Sequence, residues 1–190
     1  MKIAIMGKAG SGKDTIADYL VKKYGFKKIS FAMGLKNVAE GLYFMKRKDR
    51  KLLQDLGSAL RSVRESVFID YTLSKADGNT VISDLRFPNE YKRLTEEGYL
   101  ILRVEADTID RLNRIAKRDN VIIDDKYLKL LSSPIECYLD DKDKYFANPI
   151  KNDGTLEELY KKIDTIYPTF EKALEGSLKN QRKGLEECQD

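Results

Sequence analysis

Gly7-Lys8-Ala9-Gly10-Ser11-Gly12-Lys13-Asp14-Thr15 follows the apolar run Ile3-Ala4-Ile5-Met6 and opens an amphipathic stretch lasting to Tyr24. A strand, a glycine-rich loop and a helix in that order make a cradle for a polyphosphate. Glycines at 7, 10 and 12 let the backbone wrap closely around an anion with its amide hydrogens turned inward. The helix that follows offers its unpaired N–H groups and the positive end of its dipole to the same anion. Lys13 reaches the β- and γ-phosphates as a point charge. The strict motif has Ser or Thr directly after the lysine as a magnesium ligand. Here Asp14 stands there and the hydroxyl, Thr15, comes one residue later. The bland alternative is a glycine-rich turn before a helix, and the strand in front of the loop disfavours it. The stretch predicts a nucleoside triphosphate site built from Gly7, Ala9, Gly10, Ser11, Gly12, Lys13, Asp14 and Thr15.

The whole chain suits a small enzyme. Its 190 residues fit one domain with a real core. No run approaches the length of a membrane span, and the N-terminus enters a strand without a leader. Cys137 and Cys188 have neither metal nor redox spacing, so free thiols in a cytoplasmic protein are expected. A net charge of +4 is only mildly basic for a chain that is 35% charged, which suits anionic metabolites better than nucleic acid. The chain has no histidine, so histidine base catalysis and histidine metal ligation are excluded. Phosphoryl transfer tolerates that absence, because positioning and electrostatics carry most of it.

Strand and helix patterns alternate. Strands are expected at Lys2–Met6, Lys28–Ala32, Asn79–Ser83, Tyr99–Val104 and Ala147–Lys151. Helices are expected from Asp14 to Tyr24, with Ile16, Ala17, Leu20 and Val21 inward, and over most of Met33–Leu73 with a charged break at Lys46–Asp49. Further helices are expected at Pro88–Glu97, closed by Gly98, at Thr108–Arg118, and from Thr155 to just before Pro168. Glu158 stands three residues after Thr155, as in a capping box. The pattern predicts an α/β fold: a parallel sheet of about five strands with helices on both faces. Residues 120–143 fit no element, and 171–190 form a charged, weakly helical tail without a catalytic role.

Three clusters carry chemistry. In Val81-Ile82-Ser83-Asp84-Leu85-Arg86-Phe87-Pro88-Asn89-Glu90, Asp84 stands just past a buried strand, where a carboxylate organises magnesium. Arg86 could face a transferring phosphate. On the helix after the charged break, Leu52, Leu53, Leu56, Leu60, Val63 and Val67 form a core stripe, whereas Arg50, Gln54, Gly57, Arg61 and Arg64 line another face. A glycine amid arginines implies that something approaches its backbone closely; an anionic planar ligand gripped by guanidinium forks would suit it, with Arg61 foremost. Arg111, Arg114 and Arg118 line one face of the Thr108–Arg118 helix, where a lid would supply charge to the transition state.

These residues together resemble the bacteriophage-type deoxynucleoside monophosphate kinases, within the wider nucleoside monophosphate kinase group of P-loop proteins. The resemblance runs through Ser11-Gly12-Lys13-Asp14-Thr15, Ser30-Phe31-Ala32 with Leu35-Lys36, and Leu53-Gln54-Asp55-Leu56-Gly57 with Arg61. It continues through Ser83–Glu90 and Asn152-Asp153-Gly154-Thr155. It implies transfer of the γ-phosphate of ATP to a deoxynucleoside 5′-monophosphate, with Mg²⁺ held by Thr15 and by Asp14 or Asp84. A single kinase domain would span 1–170, with a monophosphate-binding segment at 33–75 and a lid at about 107–145. Phe31, Lys36, Arg50, Gln54, Gly57 and Arg61 would then hold the acceptor. Lys13, Asp84, Arg86 and Arg114 would serve the transfer itself, and Arg111 and Asn152 would border ATP. Kinases of phosphorylated non-nucleotide metabolites, such as the animal phosphomevalonate kinases, carry a similar loop. An ATP-dependent switch contacting nucleic acid is a reading of another class. Small-molecule nucleotides, and neither nucleic acid nor membrane, are the partners expected.

Overall fold

In the computed structural model, residues 1–125, 128 and 149–186 are described, with the backbone alone for Arg50 and residues 173–186. The apolar runs form five strands: β1 (Lys2–Met6), β2 (Lys27–Ile29), β3 (Thr80–Leu85), β4 (Leu100–Glu105) and β5 (Ile150–Lys151). They lie in the order β2-β3-β1-β4-β5, and every pair is parallel. Parallel neighbours require crossovers, which helices supply. These are α1 (Lys13–Tyr24), α2 (Phe31–Leu42), α3 (Arg50–Val63), α4 (Val67–Leu73), α5 (Pro88–Glu96), α6 (Thr108–Asp119) and α7 (Leu156–Glu186).

Side chains alternate across the sheet, so each strand feeds two cores. Ile3, Ile5, Val81 and Val104 pack with Ile16 and Leu20 of α1 and with Leu159 and Ile163 of α7. Ala4, Met6 and Ile82 pack with Phe31, Phe68, Ile69 and Leu94. Burial on both faces explains why β1 and β3 read as continuous apolar runs. The expected fold class, a parallel α/β sheet of five strands with helices on both faces, is the fold found.

Several expected boundaries shift, and β3 extends to Leu85 so that Asp84 lies within the strand instead of just past it. The second strand stops at Ile29, and Phe31 and Ala32, read as strand, begin α2. Asp84 causes this from across the sheet: its carboxylate accepts the Phe31 amide at 3.1 Å and the Ala32 amide at 2.9 Å. Those are donors that a helix start leaves unpaired. The apolar stripe of α3 is shorter than its periodicity implied. The helix ends at Val63, which is 86% exposed because the chain turns away there, and Val67 belongs to α4. On α1 the buried stripe is Ile16, Ala17 and Leu20, and Val21 lies at its exposed margin.

The last helix runs through Pro168 to Glu186, where a stop before the proline was expected. Proline removes one helix bond. The helix persists because tertiary packing holds it up to and beyond that point. Ile163 and Tyr167 are buried, and Phe170 packs against them. Tyr160 stacks on Tyr19 at 3.9 Å and Tyr167 on Tyr24 at 3.8 Å. Asp164 accepts hydrogen bonds from Tyr19, Tyr24 and Lys23. Its start is as predicted: the Thr155 amide donates to Glu158 at 2.9 Å, and the Glu158 amide to Thr155 Oγ1 at 3.2 Å. Of the fifth strand, 147 and 148 lie outside the described residues, as do 126, 127 and 129–145 of the expected lid and 187–190 of the tail. Among the described residues, no helix is long and apolar enough to cross a membrane.

Candidate functional site

Gly7 to Gly12 leave the C-terminal end of β1, the central strand, and turn directly into α1. The turn uses backbone that only glycine adopts cheaply: φ is 147° at Gly7, 78° at Gly10 and 103° at Gly12. Space forbids a side chain as well. A Cβ on Gly7 would overlap the Val104 carbonyl oxygen, and one on Gly12 would overlap the Asn152 amide nitrogen. Gly12 caps α1 without any side-chain acceptor for the first amides of the helix. Ser11 is fully buried, and its hydroxyl has no hydrogen-bond partner among the described residues. The Lys13 ammonium folds over the loop and donates to the Gly7 carbonyl at 2.6 Å and the Lys8 carbonyl at 2.9 Å.

This cradle fits a polyphosphate. It combines a buried hydroxyl without a partner among the described residues, a helix start without a side-chain cap and a cation held over the loop. The amides of Ala9 to Thr15 and the Lys13 ammonium would hold the phosphates. Among the described residues no cluster of three or more cysteine, aspartate or glutamate side chains could bind a metal ion unaided. Magnesium sites in phosphate chemistry need only one or two protein oxygens beside phosphate and water. Thr15, half-buried in the first turn of α1, would supply one.

The β5 turn and α6 close on the loop from the other side. Asn152 is buried and donates through its side-chain amide to the Ser11 carbonyl at 2.8 Å. Its own carbonyl receives Arg114 at 2.8 Å, and Arg114 also reaches the Gly10 carbonyl at 3.5 Å. Arg111 donates to the Ala9 carbonyl at 3.2 Å. Asp107 and Asp153 fix this arrangement. The Asp107 side chain accepts the Ile109 amide at the start of α6, and its backbone amide donates to Asp153 at 2.9 Å. Arg111 and Arg114 thus lie on the loop as the helical spacing implied, whereas Arg118 pairs with Asp119 at 2.8 Å. Asn152, expected beside a base, is seen pinning the loop. Asn152→Ala should leave the Ser11 carbonyl without its donor, at a cost of about 1–3 kcal/mol. Thermal denaturation should show that loss, and ATP should bind more weakly.

The carboxylates divide their duties. Asp14 Oδ1 receives the Ser83 hydroxyl at 2.7 Å and the Lys28 ammonium at 2.9 Å. Burial raises its pKa, but those two partners outweigh it and hold it below the usual carboxylate value. Asp84 carries the α2 amides. Burial pushes its pKa up against the pull of those amides and of Arg86. Both residues stand beside the loop, tied to protein partners that the sequence did not reveal.

Arg61 lies half-buried with its guanidinium carbon over the Phe68 ring at 4.8 Å and the Phe87 ring at 4.5 Å. Burial lowers its pKa. Two groups come near to where a Cβ on Gly57 would stand: Arg61 Nη1 of its own helix at 3.2 Å, tighter than an ordinary contact, and Leu35 of α2 at 3.4 Å. Phe31 is buried in the core under α2, while Lys36 and Gln54 are exposed on α2 and α3. The side chain of Arg50 lies outside the described residues. Lys28, Ser83, Phe68, Phe87 and Glu90 are not singled out as site residues by the sequence. Ser83, Phe87 and Glu90 do lie in the Ser83–Glu90 stretch through which the resemblance runs, whereas Lys28 and Phe68 carry no signal.

Comparisons agree with this architecture. A candidate deoxynucleotide monophosphate kinase of Acanthamoeba polyphaga mimivirus is 25% identical, over 73% of this chain and 95% of the relative. The structure of shikimate kinase from Acinetobacter baumannii superposes with a TM-score of 0.58 at 15% identity, covering 88% of this chain and 93% of that one. Deoxyadenosine kinase from M. mycoides superposes with a TM-score of 0.51 at 16% identity, over 89% of this chain and 100% of that one. The fold is therefore that of P-loop kinases. The model of the family described as AAA domain matches residues 3–127, more than half of the chain, from β1 through α6, and the chain belongs to that family of P-loop proteins.

Proposed function

We propose that this protein is a nucleoside monophosphate kinase, moving the γ-phosphoryl group of ATP to a (deoxy)nucleoside 5′-monophosphate. The observation that carries the reading is the distribution of guanidinium groups. Arg111 and Arg114 lie on the phosphate loop from one side, and Arg61 stands half-buried in the helical segment between β2 and β3. Two anionic substrates, one on the loop and one toward Arg61, are what such a layout accommodates. The likeness to a mimivirus relative named for the same activity adds to it.

In the reaction an oxygen of the acceptor phosphate attacks the γ-phosphorus, the bond to the bridging oxygen breaks, and ADP leaves. The attacking oxygen is already anionic, so no base is required, which agrees with the absence of histidine. Lys13 and the loop amides hold the phosphates and stabilise charge that spreads over the equatorial oxygens. Arg111 and Arg114 would exchange loop carbonyls for phosphate oxygens. Arg61 would fix the acceptor in line. Magnesium, when bound, neutralises the β- and γ-oxygens.

The deciding experiment measures ADP formed from Mg-ATP with each deoxy- and ribonucleoside monophosphate in turn. Strong acceleration by one or a few is expected; a flat response overturns the reading and points to a phosphorylated acceptor without a base. Arg61→Ala should raise the KM for the monophosphate by about 30-fold or more, the loss of a charge-assisted bond or two. The KM for ATP should hardly move, and equal changes in both would remove Arg61 from the acceptor site.

A further inference from the structure

Arg61 reaches its place through residues that do not touch it by hydrogen bonds. Among the described residues its hydrogen bonding is a single long contact, 3.4 Å to the Gly57 carbonyl. Its position is set by the Phe68 and Phe87 rings. A guanidinium held by ring faces keeps its N–H edge for an anion with two acceptor oxygens. The geometry of Phe87 therefore decides where that edge points.

A carboxylate holds the Phe87 backbone at its amide. Glu90 is 3% exposed, and its Oε2 accepts the Phe87 amide at 3.0 Å and the Arg86 amide at 2.9 Å. A capping glutamate needs only the first of these. The second holds Arg86, the residue before the N-cap Phe87. The charged groups that act on Glu90 are Asp84 from the end of β3 and Arg61 from α3. Burial raises its pKa to about 7, against the pull of the two amides and of Arg61. Placing a carboxylate there is expensive, and a polar cap on the protein surface would have started α5 without it.

We infer that Glu90 is a positioning residue for the acceptor site: by holding the amides of Arg86 and Phe87 it sets the ring against which Arg61 rests, and so the direction in which Arg61 meets a phosphate monoester. The inference rests on the proposed monophosphate kinase activity and extends it to a residue that meets neither substrate. Its consequence is selective. Loosening Glu90 disturbs the acceptor side and leaves the phosphate loop, held by Asn152 and α6, as it is.

Steady-state kinetics of the full chain test this, using the monophosphate that most accelerates ATP consumption. Glu90→Ala should raise the acceptor KM by about ten-fold while the KM for ATP stays within about two-fold. Glu90→Gln keeps an oxygen for both amides and should recover most of the affinity. Phe87→Leu, apolar but without a ring face, should raise the acceptor KM by about three-fold or more, and it serves where Glu90→Ala does not fold. Parallel changes in both KM values, a Gln variant no better than Ala, or a neutral Phe87→Leu would each overturn the positioning role. A wild-type protein that responds to no monophosphate would instead overturn the activity itself, and this inference with it.

Discussion

Lys13→Ala should abolish turnover, by a factor of about 10³ or more, while leaving the protein folded. The two halves of that expectation have separate causes. The Lys13 ammonium donates to the carbonyls of Gly7 and Lys8, so it closes the loop upon itself. Losing two such bonds costs about 1–3 kcal/mol, which a domain of this size survives. The transfer step depends on the same cation in another way. Charge accumulates on the transferring phosphoryl group, and a preorganised ammonium in a shielded site stabilises it at no cost in reorganisation. A thousand-fold loss corresponds to about 4 kcal/mol, within reach of one buried cation. Circular dichroism and thermal denaturation would establish the fold, and ADP release would establish the loss. Substantial turnover in Lys13→Ala would sink the assignment of this loop as the phosphoryl-transfer site.

The parts of the fold legible from the sequence were those fixed by local chemistry. Gly7, Gly10 and Gly12 announced a loop that wraps closely before a helix; all three have positive φ, and the helix begins at Lys13, one residue before the expected Asp14. Arg111 and Arg114 share a helix face by simple spacing, and both reach the loop. The features that were not legible depend on contacts between distant segments. Asp84 reads from the sequence as a magnesium ligand just past a strand; in the structure it lies inside β3, and its two oxygens also hold the first amides of α2, 53 residues away for Phe31. Nothing in Ser30-Phe31-Ala32 hints that a helix start will be capped from another strand. At Gly57 the nearest neighbour is the Arg61 guanidinium one turn along the same helix, and next comes Leu35 of α2, a packing partner that no periodicity names. Asn152 could be placed near the nucleotide by resemblance. Its hold on the Ser11 carbonyl needed three dimensions.

Gly7→Ala should cost more stability than any other alanine substitution in the loop, and the reason lies outside the loop. Its φ of 147° already disfavours a side chain, by roughly 1–2 kcal/mol. A Cβ there would also overlap the backbone oxygen of Val104 and come within 2.9 Å of the Ser11 hydroxyl. The hydroxyl belongs to a short side chain that can rotate, but Val104 cannot retreat. It is completely buried in β4, whose register with β1 pairs Ile5 with Leu102 and Met6 with Arg103. Overpacking against a fixed backbone adds about 1–3 kcal/mol. Together these, about 2–5 kcal/mol, should lower Tm by roughly 4–20 °C, at about 2–4 °C per kcal/mol for a chain of this size. Gly25→Ala is the control, because Gly25 has φ 69° but nothing within 4 Å of the added carbon. It should show the backbone part of the loss alone. Equal melting temperatures for the two variants would mean that β4 yields to the loop. A larger drop for Gly7→Ala would mean that the strand beside it sets the shape of the cradle, so that the phosphate site is as rigid as the sheet from which it grows.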